Sequence, residues 1–522
     1  MNKPSYVAAF LLLFIIVFNS NVTLGNAFLK HRTVEIDTAF KLANIFQSNM
    51  VLQQHKPFRI WGKASPANTI TLKADWSTKT IKITTDEQGN WKGEIAVPKA
   101  VIRDFTPHSL TLTDNGTNVN LSNLLIGEVW LASGQSNMQF SLKGEKGKNN
   151  GALNYEEEMA ATNLPNIRFF YTDLNFKAQP YNQVTGKWVL CTPETAGHFS
   201  AVAYYFSKEL YEHLNIPVGI ILSTIGASTG QAWTSRKVLE SDTILYNKYL
   251  RSYDSSPKSK NLVTSGFSFE KVTLPTLLYN AMIHPLAGFS IKGFIWYQGE
   301  FNRSDKDLYT RLQTGMIKSW REDFDQGDLP FYLVQMPPYY WGNENTEAND
   351  YAYFREAQAN IRKLKNTEMA VIIDDDEARN LHPRNKKPVG IRLSKVALNK
   401  DYKFKNIPYL GPHFSKMKIN GSTVEILFKK STLAAGLITS DNQPPKEFYI
   451  AGSNKIFYEA TAAIEGNKII LTSDKVANPI AVRYAFRNIA VTNLTNKAGL
   501  PVEPFRTDNW EQDPNMKVII KS

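Results

Sequence analysis

Hydrophobic positions change their spacing twice along this chain, near residues 123 and 403. Between residues 38 and 122 apolar and polar residues alternate, as in "NTITLKADW" (68–76) and "TKTIKITTD" (78–86). Such alternation puts successive side chains on opposite faces of a strand. "DEQGNW" supplies a turn at Gly89. Asn115-Gly116 is a hairpin signal, because both central residues of a type I′ turn need positive φ. Short strands at regular spacing predict a small sandwich-like β domain over 38–122.

From residue 123 to 403 the strands read instead as continuous apolar runs. They are "EVWLAS" (128–133), "VGIILST" (218–224), "IKGFIWYQG" (291–299), "PFYLVQM" (330–336) and "EMAVIID" (368–374). Helical spacing lies between them. Residues 200–214 repeat apolar positions at Val202, Phe206 and Leu210, with Ser200 as N-cap. Residues 304–320 do so at Leu308, Leu312 and Trp320, with Ser304 as N-cap. Strands alternating with helices predict an α/β region with a parallel sheet, and chemistry at the carboxyl ends of its strands. Residues 240–275 are polar and read as an irregular excursion. After about 403 alternation returns in "STVEILFKK", "KEFYIAG", "NKIILTS" and "IAVRYAF", which predicts a second β-rich domain over 404–522.

The first 27 residues stand apart. Lys3 precedes the apolar run "VAAFLLLFIIVF" (7–18), and the small residues of "TLGNA" follow. A run this short fits a secretory signal peptide, cleaved after Gly25 or Ala27, better than a bilayer span. The chain is therefore expected to be periplasmic or secreted, with no stable membrane insertion after cleavage. With 43% hydrophobic and 21% charged residues among 522, global disorder is excluded. The single cysteine, Cys191, cannot form an internal disulfide and reads as a packed small hydrophobe. The net charge of +12 is spread without a long basic run, which argues against a nucleic-acid partner and gives weak support to an acidic substrate.

Four strand ends carry conspicuous groups: Ser136 in "SGQSNM", Gly226 in "STIGASTG", Gln298 and Glu300 in "YQGEFN", and His382 in "DDDEARNLHPRNK". Each has a bland reading as turn or surface chemistry. Together they fit acyl transfer, which needs an activated hydroxyl, a base and donors for an oxyanion. Ser136 is the expected nucleophile and His382 the expected base. The N–H groups of Ser136 and Gly226 and the amide of Gln298 are the expected oxyanion donors. The histidines are widely separated in sequence, so no metal cluster is expected, and the reaction calls for no cofactor.

These blocks, in this order, resemble those of the SGNH hydrolase superfamily and, more specifically, of the sialate O-acetylesterase family. The matching stretches are "GQSNM" (134–138), "IGAST" (225–229), "WYQGE" (296–300) and "LHPRNKKPVGIRLS" (381–394). Further likeness lies in "NMVLQQHKPFRIWGKA" (49–64), "VRYAF" (482–486) and "NKAGLPVEPFRTDNW" (496–510), so it spans nearly the whole mature chain. The resemblance implies an SGNH-type three-layer catalytic domain between β-rich domains. It also implies hydrolysis of an O-acetyl ester on sialic acid or a related glycan, with release of acetate. A deacetylase of plant polysaccharide such as xylan would use the same machinery. A noncatalytic glycan-binding protein is the reading from a different class.

The chain departs from the family's pattern twice. Ala227 follows Gly226 where the family often has a second glycine, and Arg379 stands where many SGNH enzymes have an Asp three residues before the histidine. The orienting acid would then be Glu377 or Asp374. The alternatives are a Ser-His dyad, or a backbone carbonyl that fixes the imidazole tautomer. Arg303 and Glu300 are expected to bind substrate. Arg303, Arg379 and Arg384 are the cations available to a sialic acid carboxylate.

Overall fold

Seven strands build the sheet that carries the site. They are β1 (Thr117–Gly134), β2 (Leu164–Thr172), β3 (Gly186–Cys191), β4 (Val218–Thr224), β5 (Gly293–Tyr297), β6 (Phe331–Val334) and β7 (Thr367–Ala370). In this computed structural model their order is β3-β2-β4-β1-β5-β6-β7. All adjacent pairs are parallel except β3 with β2. The structure describes residues 40–145, 150–260, 266–341, 349–512 and 518–519. The stretch read as a signal peptide lies outside them.

The apolar runs became strands for the reason their composition gives. All seven residues of β4 and all five of β5 are buried, as in parallel strands covered on both faces. The chain is thus a mixed α/β protein with one large mixed sheet and further β-rich sheets toward its carboxyl end.

β1 makes three successive pairings. Its first half runs antiparallel to His108–Asp114 through a hairpin whose Asn115 and Gly116 both have positive φ, as the sequence predicts. Leu125–Gly127 pair parallel with Val51–Gln53, and Glu128–Gly134 lie between β4 and β5. One strand therefore carries the chain from the amino-terminal β region into the central sheet, and the expected boundary at 122–123 falls inside it. The boundary at 403–404 falls between a helix ending at Lys400 and a strand beginning at Phe414.

Five helices matter for the site: α1 (Ser136–Gln139), α2 (Ala201–Leu214), α3 (Asp307–Phe324), α4 (Asp350–Asn360) and α5 (Lys387–Lys400). Ser200 caps α2, accepting from Ala203 N–H. Trp130 of β1 is fully buried, meets Phe206 of α2 edge to face at 5.2 Å and donates to Tyr402 Oη. Such a ring pair is worth about 0.5–1.5 kcal/mol beyond its buried area.

Two expectations are corrected. α3 begins at Asp307, not after a Ser304 cap, because Asn302 bonds the Asp305 carboxylate and turns the chain there first. Its buried face is Tyr309, Leu312, Met316 and Trp320, with Leu308 only half-buried. The polar segment from 240 is mostly helical as far as Lys260. Leu245, Tyr249, Leu250 and Tyr253 pack with Leu239 and Leu312, and Tyr249 Oη donates to Asp305.

In the carboxyl-terminal region, a four-stranded and a five-stranded sheet include all four predicted runs. Arg355 of α4 donates to the carbonyls of Arg487 and Asn488, and so ties that region to the central one.

Candidate active site

Ser136 is the first residue of α1, directly after β1. The turn is tight at Gly134, whose φ is 136°, and a Cβ there would lie 2.2 Å from the Tyr297 carbonyl. Only glycine lets the ends of β1 and β5 approach this closely, and Gln135 N–H then donates to Tyr297 O at 3.0 Å. The first N–H groups of a helix have no partner within it. Ser136 N–H is such a donor and has no acceptor among the described residues.

Ser136 Oγ lies 2.7 Å from His382 Nε2, although the two are 246 residues apart. The imidazole sits on the loop after β7. Burial lowers its pKa to about 4, helped by the positive charge of Lys386. The ring is therefore neutral near pH 7. With Nε2 accepting the serine proton, the ring proton lies on Nδ1.

No carboxylate among the described residues accepts from Nδ1, and both acid candidates are corrected. Asp374 is held by Arg392 through two bonds of 2.6 Å. Glu377 accepts from Arg384 N–H at 2.7 Å, Asn385 N–H at 3.2 Å and Asn380 Nδ2 at 2.9 Å. Asn380 Oδ1 in turn accepts from His382 N–H at 3.0 Å. Glu377 thus folds the loop that carries the histidine and does not touch its ring.

Gly226 follows β4, beside Ser136, which follows β1. A Cβ on Gly226 would lie 3.4 Å from the Ser136 Cβ. Its N–H donates at 2.8 Å to Oε1 of Gln139, whose side chain is exposed. Ala227 takes the left-handed conformation, φ 60°, where the family often has glycine.

Gln298 is corrected as an oxyanion donor. Its Nε2 faces Asn302 Oδ1 at 2.8 Å, Gln135 Oε1 at 3.1 Å and Ser228 O at 3.2 Å, and Tyr309 Oη donates to its Oε1. Fully buried, the amide ties three strand ends together.

Glu300 is corrected as a substrate contact. It is 2% exposed and its Oε1 accepts from Asn137 Nδ2 at 2.5 Å; burial raises its pKa. Arg303 stacks on Trp341, 3.8 Å from the ring centroid, and donates to Glu300 O. Arg379 lies over Tyr340 at 5.3 Å, and Arg384 donates to Gly151 O. No hydrogen bond or cation–ring contact joins these arginines to Ser136 or to the His382 ring among the described residues.

Two residues inside the quoted motifs had no assigned role. Asn137 follows the serine, and Lys386 lies in the histidine block; their side chains meet at 2.5 Å. Cys191 is buried, with its thiol pushed up to about 12 by burial. Among the described residues no group of three or more His, Cys, Asp or Glu side chains could hold a metal, and no helix is long and apolar enough to cross a membrane.

A serine hydroxyl hydrogen-bonded to a neutral imidazole, both just beyond the carboxyl ends of parallel strands, defines an ester hydrolase of the α/β class. The family model "Carbohydrate esterase, sialic acid-specific acetylesterase" matches residues 126–398, and the chain belongs to that family. It is similar to the sialate O-acetylesterase of Mus musculus, 29% identical over 430 residues, 73% of this chain and 77% of that protein. The Homo sapiens sialate O-acetylesterase is 28% identical, covering 73% of this chain and 74% of its own length. Among solved structures, a carbohydrate acetylesterase from Xanthomonas citri superposes with a TM-score of 0.79 at 34% identity, covering 90% of this chain and 100% of that one.

Proposed function

We propose that this protein removes O-acetyl groups from sialic acid or a related glycan by a Ser-His dyad on an SGNH-type domain. The 2.7 Å bond between Ser136 Oγ and His382 Nε2 carries the reading. Ser136 Oγ attacks the acetyl carbonyl carbon while its proton passes to His382 Nε2. The oxyanion is met by Ser136 N–H and by Gly226 N–H, which leaves Gln139 for the substrate. His382 then gives the proton to the departing sugar oxygen, and the acetyl group stays on Ser136. In the second half His382 takes a proton from water, the hydroxide attacks the acetyl carbon, and Ser136 Oγ leaves with that proton, as the acetic acid formed departs and gives its own proton to solvent as acetate.

The substrate class is supported by the curated relatives' name. Arg303 and Arg379 lie in the loops after β5 and β7, and neither has a carboxylate partner among the described residues. The amino-terminal apolar run supports export, with residues 1–27 removed. Amino-terminal sequencing of protein recovered outside the cytoplasm checks that cleavage.

The deciding assay is acetate release from O-acetylated sialic acid and from acetylated xylan, by wild type and Ser136→Ala. Wild type is expected to prefer sialic acid and the variant to release none. Equal inertness of both proteins on both substrates would overturn the enzyme reading. Preference for xylan would leave the mechanism and change the substrate.

A further inference from the structure

Lys386 is 1% exposed, yet no carboxylate forms a salt bridge with it among the described residues. Its ammonium donates to Asn137 Oδ1 at 2.5 Å and lies 5.0 Å from the Phe140 ring centroid and 5.6 Å from that of Tyr297. A buried ammonium held by one amide oxygen and two ring faces is costly, and burial lowers its pKa to about 8. A fold keeps such a charge only where something offsets or uses it.

The position suggests the use. Asn137 follows Ser136, and its Nδ2 donates to Leu381 O at 3.1 Å, directly before His382, and to Glu300 Oε1. One side-chain amide thus touches the turn after β5 and the histidine loop, and receives the lysine at the start of α5. The second oxygen of Glu300 is buried without a partner among the described residues. Glu300, Asp375 and Glu377 face the ammonium with negative charge from the turn after β5 and the loop after β7. The charge that acts on His382 in turn is the lysine's.

We propose that Lys386 is a positioning residue for the acyl transfer: its ammonium grips Asn137, so that the Ser136 turn and the His382 loop are held as one piece, and its fixed positive charge acts on the imidazole. The inference rests on His382 being the base. A neighbouring cation disfavours imidazolium, so the ring stays neutral and able to accept the serine proton at mildly acidic pH.

The test reads the imidazole directly, without substrate. Full-length protein labelled at histidine Cε1 is titrated by NMR, with His382 assigned by loss of its signal in His382→Asn. Wild-type His382 is expected to titrate near pH 4. Lys386→Gln and Lys386→Met should move the midpoint upward by up to about one unit, a tenfold gain in proton affinity, while burial keeps it below the ordinary histidine value. The acid limb of kcat/KM on 4-nitrophenyl acetate should move with it, which a merely loosened fold would not cause. Asn137→Ala keeps the ammonium. It should lower kcat by about 10²-fold, the scale of a small misplacement of reacting groups, with a midpoint shift smaller than that of the lysine variants.

A midpoint unmoved in both lysine variants would overturn the proposal, as would Asn137→Ala with wild-type kcat. Should neither lysine variant fold, wild type alone decides. Its His382 signal must show a second inflection near pH 8, where the lysine loses its proton, and a flat signal there overturns the idea. A moved midpoint in a protein without esterase activity would refute the proposed function and not the clamp.

Discussion

Glu377→Gln separates an orienting acid from a loop buttress. The carboxylate makes three hydrogen bonds, from two backbone N–H groups on Oε1 and from Asn380 Nδ2 on Oε2. Glutamine keeps its carbonyl oxygen for the backbone pair, but then turns its own NH₂ toward the Asn380 NH₂. Flipping Asn380 would relieve that clash and would remove the acceptor of His382 N–H. Either way about one charge-assisted hydrogen bond is lost, roughly 1.5–3 kcal/mol. If all of it appeared in the barrier, kcat would fall about 10- to 150-fold. Replacing the acid that fixes the histidine tautomer in a true triad costs about 10⁴-fold instead. The two roles therefore differ by about 70- to 1,000-fold. Steady-state kcat on 4-nitrophenyl acetate, with a melting curve to register loosening of the loop, measures the difference. A loss above about 10³-fold with an unchanged melting temperature would refute the dyad and return Glu377 to the imidazole.

Four further outcomes are expected. Gln139→Ala frees Gly226 N–H from its intramolecular acceptor and should raise kcat/KM about 2- to 10-fold, the worth of one exposed hydrogen bond; a loss of activity would exclude Gly226 as an oxyanion donor. Gln298→Ala leaves several buried partners unmatched and should destabilise the protein by about 2–5 kcal/mol in denaturant unfolding; full stability with kcat reduced by 10²-fold or more would restore it to the oxyanion hole. Ala227→Gly relieves a left-handed alanine and should stabilise by up to about 1 kcal/mol, seen as a small rise in melting temperature. Glu503 is held down to about 2 by Arg362 and His413 despite burial. Its carboxylate therefore contributes stability above pH 4.5, on the order of 3 kcal/mol, which is lost as pH falls toward 2. Glu503→Gln should be much less stable than wild type at pH 7, and a gap undiminished at pH 2–3 would contradict the linkage.

The serine and histidine were legible because buried parallel strands appear in sequence as apolar runs, and reactive groups lie just past them. The partners of the histidine were not legible in the same way. Glu377 and Asp374 lie near His382 along the chain, but one is held by its own loop's N–H groups and the other by Arg392, an acceptor count that spacing does not encode. Gln298 sat in the right turn with the right amide, and only the packing of Gln135, Asn302 and Tyr309 around it reveals where its donors go. The helices between 240 and 260 were missed because their polar surface outweighed a short apolar stripe.

These departures share a consequence. A triad's acid stabilises the imidazolium that forms when serine is deprotonated. In the proposed reaction burial and Lys386 act against that cation, so His382 would be a weak base. A weak base transfers little driving force to the serine proton, and more of the rate must come from stabilising the oxyanion. The buried ammonium that opposes the imidazolium also favours negative charge developing on the acetyl oxygen near Ser136. Its net effect on the barrier thus depends on which of two opposite charges it lies closer to as the tetrahedral intermediate forms. Asn137, which adjoins Ser136 and bonds Leu381 O beside His382, fixes where the ammonium sits between the two, which is why the charge and the clamp have to be varied separately.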